Sequence, residues 1–169
     1  MDKTTFWQLI ERTREEADGD CDMHMSLLQE ALVALPPQEI VEFDRIYGEY
    51  FAQSYQWPLW GAAFLIGGGC SDDGFDYFRN WLISRGKAQF EAALADPDSL
   101  ADQVREEDYC ELEELPYVIV QAWSEKTGQP EREFPERPVE TEDEPLGEPW
   151  QEEELERRFP RLAGKLGWV

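Results

Sequence analysis

Basic residues are scarce in this chain. Its 169 residues hold 15 lysines and arginines against 38 aspartates and glutamates, a formal charge of −23. A surface of that sign repels nucleic-acid phosphates and anionic lipid, so neither nucleic acid nor a membrane is an expected partner. The same field draws in basic surfaces, which makes a protein partner, and a basic one in the sharper reading, the expectation. Solubility is the blander use of such charge, and mimicry of nucleic acid a rarer one. No apolar run approaches the length of a membrane span. The opening MDKTTFWQLIERTREEADGD has no apolar signal core. A soluble, cytoplasmic protein is expected.

Histidine occurs once, at His24, and cysteine three times, at Cys21, Cys70 and Cys110. Three widely spaced cysteines do not make a disulfide framework. Cys21 and His24 have a permissible zinc spacing, but the other two thiols stand alone, whereas structural zinc sites supply paired ligands. Buried thiols, an exposed histidine and no metal or cofactor are therefore expected. Asp20 and Asp22 would raise the Cys21 thiol's pKa, the opposite of what a nucleophile needs. A strand-borne GxGxxG, a phosphate loop, a G-x-S-x-G elbow and an H-E-x-x-H pair are all missing. Asp-Asp-Gly-Phe-Asp at 72–76 lacks the ligand spacing of a calcium loop. Enzymatic activity is unsupported, though not excluded.

What the chain does contain is helical periodicity. Phe6, Leu9, Ile10 and Thr13 form one stripe, with Thr4 or Thr5 placed as its N-cap. Leu28, Ala31, Leu32 and Leu35 form a second, ended at Pro36-Pro37, and Pro37 opens a third helix. That helix carries Ile40, Phe43, Ile46, Tyr47, Tyr50 and Phe51 on one side, and Glu39, Glu42, Asp44, Arg45 and Glu49 on the other. Pro58 starts an apolar helix, LWGAAFLI, which Gly67-Gly68-Gly69 stops. Being apolar all round, it belongs inside. Ser71 or Asp72 caps the next helix, whose inward face is Phe75, Phe78, Trp81 and Leu82, with Gly86 at its end. A further helix follows over 87–95. Residues 115–125 read as helix, although 117–120 reads equally as a short strand; no partner strand is visible. The predicted class is all-α.

Composition shifts after Gly128. The next stretch, through Pro149, carries five prolines and eight acids and cannot hold regular structure of any length. Phe134, Val139 and Leu146 can still pin it along the body. A stripe returns at Trp150, Leu155, Phe159, Leu162 and Leu166, interrupted by Pro160, which predicts two short helical pieces. The expected organisation is an all-α domain over 1–128, an acidic proline-rich linker over 129–149, and an amphipathic arm over 150–169 packing back on the domain. A detachable arm that docks in a partner's groove is the alternative.

One polar cluster stands out. Asp72, Asp73 and Asp76 lie at a helix start, where carboxylates are favoured by the free N–H groups and the macrodipole. Arg79 follows Asp76 by three positions on nearly the same face. Either Asp76 and Arg79 form a plain intrahelical pair, or the aspartates and Arg79 line a polar cleft beside Trp57, Trp60 and Trp81. In the second case Arg79 binds an anion, or the carboxylates a cation. Trp57, Trp60, Asp72, Asp73, Asp76 and Arg79 are thus the candidate ligand- or partner-binding residues, and no catalytic residue can be assigned. The three tryptophans are expected to be mainly core.

Several separated motifs carry a family resemblance: the N-terminal stretch quoted above, Tyr55-x-Trp57-x-Leu59-Trp60-Gly61-Ala62-Ala63, Gly68-Gly69-Cys70-Ser71-Asp72-Asp73-Gly74-Phe75, Phe78-Arg79-x-Trp81-Leu82-Ile83 and Asp96-Pro97-Asp98-Ser99-Leu100-Ala101. Together they resemble a bacterial family of unknown function, the domain-of-unknown-function family numbered 4240, over residues 1–123. Phe159-Pro160-Arg161-Leu162 gives a weaker echo. The resemblance implies no activity and no catalytic residues. The leading functional expectation is a non-enzymatic protein-binding or regulatory module with an acidic surface. The alternatives are a small-molecule hydrolase or transferase using Asp72, Asp73, Asp76 and Arg79, or an immunity protein that neutralises a toxin.

Overall fold

A computed structural model describes residues 1–104, 111–137 and 143–168. Among these residues the chain is all-α, with no strand beyond one isolated bridge between Gln56 and Leu146.

Helix α1 (Lys3–Glu16) begins at Asp2, whose carboxylate accepts the Thr5 N–H at 2.8 Å. The cap is therefore Asp2 rather than Thr4 or Thr5, because a carboxylate one turn earlier reaches the free N–H first. Phe6, Leu9, Ile10 and Thr13 are buried as the stripe predicts, and Trp7 joins them. Helix α2 (Cys21–Val33) is capped by Asp20 and buries His24, Met25, Leu28 and Leu32. Helix α3 (Pro37–Gln53) starts at its proline and buries Ile40, Phe43, Ile46, Tyr47 and Tyr50. Asp44, expected on its polar side, is only 3% exposed.

Helix α4 (Trp57–Gly67) is the apolar rod of the interior, with Leu59, Ala62, Ala63 and Leu65 buried. Gly68, at φ 66°, terminates it in the left-handed conformation glycine adopts without strain. Helix α5 (Asp72–Ser84) follows at once, its N-cap Ser71 accepting the Gly74 N–H at 3.1 Å. Helix α6 (Lys87–Ala95) and a 3-10 segment (Pro97–Asp102) close that half of the domain. Helix α7 (Leu115–Thr127) packs on α2 and α3 and settles the helix-or-strand ambiguity at 117–120.

In the acidic stretch the described residues hold one short 3-10 turn, Glu131–Glu133. Leu146 exchanges backbone hydrogen bonds with Tyr55 and Trp57 just ahead of α4, and Val139 lies outside the described residues. Helices α8 (Glu152–Arg158) and α9 (Pro160–Lys165) are the two pieces that Pro160 separates. Leu155 and Phe159 lie over Gly61, where an added Cβ would stand 2.9 and 3.0 Å from them. The glycine of the buried helix is the seat of the C-terminal helices. Asp98 completes the attachment by accepting the Arg161 and Leu162 N–H groups at 3.1 and 2.9 Å, capping α9 from a distant part of the chain.

Candidate functional site

The sharp turn at Gly68–Ser71 brings the end of α4 against the start of α5, and this places the candidate residues. Trp60 lies between two rings. It stacks on Trp57 at 5.4 Å between centroids (interplanar angle 11°) and on Phe75 at 4.9 Å (9°). Its indole N–H donates to the Cys70 carbonyl at 3.0 Å, tying α4 to the turn. Trp57 meets Trp150 edge to face at 6.3 Å, and the Trp150 indole donates to the Trp57 carbonyl at 2.8 Å. Trp81 is buried against Phe78. Trp57 and Trp60 are only half-buried, so the expectation of three core tryptophans holds fully for Trp81 alone.

Arg79 is 5% exposed. Its guanidinium carbon lies 3.7 Å from the centroid of Phe51, 4.8 Å from Tyr55 and 5.2 Å from Phe75, an aromatic box with a cation inside. One terminal nitrogen donates to the Phe51 carbonyl at 2.8 Å, the other to Asp76 at 2.5 Å. Burial pushes the arginine pKa down, and the Asp76 carboxylate opposes it. Asp76 itself has a side chain 49% exposed, so it links the buried cation to solvent. Asp72 and Asp73 stand exposed on the first turn of α5. The structure thus pairs half-exposed Asp76 with buried Arg79 and leaves Asp72 and Asp73 exposed on the first turn of the same helix.

The remaining chemistry-bearing residues are dispersed. Cys70 is half-buried beside this turn, and burial, reinforced by the Glu111 carboxylate, raises its thiol pKa to about 11. It stays protonated at neutral pH, which removes nucleophilic character. Cys21 is exposed and His24 is 5% exposed, the reverse of the expected thiol-in, histidine-out arrangement. The cause is phase: His24 precedes Leu28 and Leu32 by four and eight positions and so shares their face, while Cys21 sits on the open first turn. Cys110 lies outside the described residues. No group of three His, Cys, Asp or Glu side chains arranged to hold a metal ion occurs among the described residues, and none of their helices is long and apolar enough to cross a membrane.

Trp150, Phe51 and Tyr55 were not singled out as site neighbours from sequence. Trp150 is 93 positions from Trp57, and only its place at the head of the C-terminal stripe marks it as apolar and inward.

The described residues thus form an all-α fold in which the helix carrying buried Arg79 begins with exposed Asp72 and Asp73. The chain belongs to the family described as protein of unknown function DUF4240, whose model matches residues 1–125. No curated protein and no solved structure matches it.

Proposed function

We propose that this protein is a non-enzymatic binding module that engages a basic protein partner through the acidic rim of α5 and the half-buried tryptophans beside it. The observation that supports this reading is that Asp72 and Asp73 are exposed on the first turn of α5, the same helix whose Phe75 stacks on Trp60 of the half-buried Trp57–Trp60 pair. Carboxylates at the rim steer a cationic partner, and partly exposed indoles supply the apolar anchors that dominate binding energy. The field behind the rim is strong because acids outnumber bases 38 to 15, and it is the acids left over after internal pairing that face outward. Lys3, Arg45, Arg79, Arg137, Arg158 and Arg161 each pair with a carboxylate of the same chain.

The hydrolase or transferase alternative asks Arg79 to hold an anionic substrate. Both terminal nitrogens of Arg79 already donate within the protein, and three rings enclose it. Its chemistry here is that of a structural cation. A toxin-neutralising role would use the same acidic face, and a toxin gene beside this one would favour it. The test is quantitative capture from the native lysate with the wild type and with Asp72→Lys/Asp73→Lys, at low and high salt. The reading predicts a basic protein retained by the wild type at low salt, and lost both in the variant and at high salt. Identical capture by both proteins would overturn it.

A further inference from the structure

A second place in the molecule is built to hold one particular side chain. Asp44 faces inward from α3 and is 3% exposed. Its two oxygens accept a bidentate pair from Arg137, Nε at 2.8 Å and Nη2 at 2.7 Å. The guanidinium lies 5.0 Å from the centroid of Tyr47, whose hydroxyl is fixed by donation to Asn80 at 2.6 Å. The floor of the slot is Gly48, where an added Cβ would fall 2.5 Å from the Arg137 Cδ. Any larger residue there would fill the space the arginine occupies. A buried carboxylate, an aromatic wall and a glycine floor form a guanidinium-shaped recess. An ammonium cannot make the same two-pronged contact.

The slot is one of two anchors. Three positions earlier, Phe134 meets Trp123 of α7 edge to face at 5.5 Å (83°). The backbone of Phe134 is polyproline-like, at φ −56° and ψ 132°, and Pro135 follows it. Phe-Pro-Glu-Arg therefore reaches across neighbouring helices α3 and α7, one side chain on each. Asp44, Tyr47, Gly48 and Trp123 all fall inside the stretch that the family model matches, 1–125, whereas Phe134 and Arg137 fall beyond it. The domain supplies the receptor and the appended segment supplies the ligand.

We propose that the α3–α7 face is a peptide-binding site for an extended aromatic–Pro–x–Arg segment of a partner protein, occupied in this chain by its own Phe134–Arg137. It is a different surface from the α5 rim, and its test leaves that rim untouched. Recognition follows the extended-peptide mode, with pockets for spaced side chains fixing register. Because the internal segment is tethered, it competes at an effective concentration of order millimolar, so a partner in trans binds weakly until the segment is displaced.

The experiment uses the full chain carrying Phe134→Ala/Arg137→Ala, and the capped peptide Pro-Glu-Arg-Glu-Phe-Pro-Glu-Arg as probe. Titration calorimetry is expected to show the peptide binding the double variant at least tenfold more tightly than the wild type. Replacing the probe's last arginine by lysine, or adding Asp44→Asn to the protein, is expected to abolish binding. If the double variant does not fold alone, the readout becomes recovery of its helical circular dichroism on adding the peptide, with the lysine peptide as control. No binding and no recovery, or equal response to the arginine and lysine peptides, would overturn the proposal.

Discussion

Replacing Arg79 by methionine removes a buried cation while keeping most of its volume, and the structure fixes what is lost. The charge-assisted bond to the Phe51 carbonyl is worth about 1.5–3 kcal/mol. The contact with the aromatic box adds about 0.5–2 kcal/mol. The pair with half-exposed Asp76 contributes at most ~1 kcal/mol, because water and salt screen it. Two features limit the damage. The Phe51 carbonyl keeps a second donor, the Ser54 hydroxyl at 2.8 Å, so no acceptor is orphaned, and methionine needs no dehydration of a charge. The expected net loss is roughly 1–3 kcal/mol, a fall in the thermal midpoint of roughly 3–10 °C for a chain of this size. Urea denaturation with thermal melts of the wild type, Arg79→Met and Arg79→Lys measures it. Partner capture by Arg79→Met, once folded, is expected to persist. A variant as stable as the wild type that no longer captures its partner would refute the structural assignment, since Arg79 would then be acting in the contact itself.

Other perturbations probe different parts of the account. Trp60→Ala removes a ring stacked on both faces and its bond to Cys70; the half-burial of Trp60 places the cost near 2–4 kcal/mol, below that of a fully buried indole, and unfolding by urea would show no change if the ring merely rests on the surface. Asp98→Ala deprives α9 of its cap, with an expected loss of about 1–2 kcal/mol and faster amide exchange over 160–166; unchanged exchange there would contradict the capping role. His24 is held neutral, its pKa lowered to about 4 chiefly by burial, with the Arg14 and Arg85 cations acting in the same direction and a bond to the Ile10 backbone opposing. The unfolded chain therefore binds the proton more readily, and stability falls as pH drops from about 6.5 towards 4, by up to ~3 kcal/mol. Urea midpoints at pH 7.5 and 5 are expected to differ less in His24→Phe than in the wild type, and equal differences would remove His24 as the cause.

The helices were legible because their apolar residues repeat at helical spacing and their ends carry proline, glycine or a capping acid. Pro37, Gly68 and Pro160 each act where the chain places them. Local patterning failed where a distant residue changes the meaning of a position. Asp44 reads as one more charge on a polar face until Arg137, 93 positions later, arrives to pair with it. Nothing in the local sequence marks Gly48 as the floor on which Arg137 rests. In the candidate site the spacing offered the Asp76–Arg79 pair as one of two readings, and that pair is present. The aromatic box around Arg79 draws on α3 and the segment before α4, which no local pattern connects. Trp60 and Trp57 look like core from composition, yet they form a stack half open to solvent, because the glycine turn brings α5 across only one side of them.

The central claim is that the start of α5 and the first turn of α4 form a partner-binding face. Hydrogen–deuterium exchange of the full chain, alone and saturated with the basic protein retained in low-salt capture, tests it most directly. The account predicts slowed exchange concentrated at residues 57–60 and 70–76. Protection confined to other elements, with those two stretches exchanging as in the free protein, would contradict it.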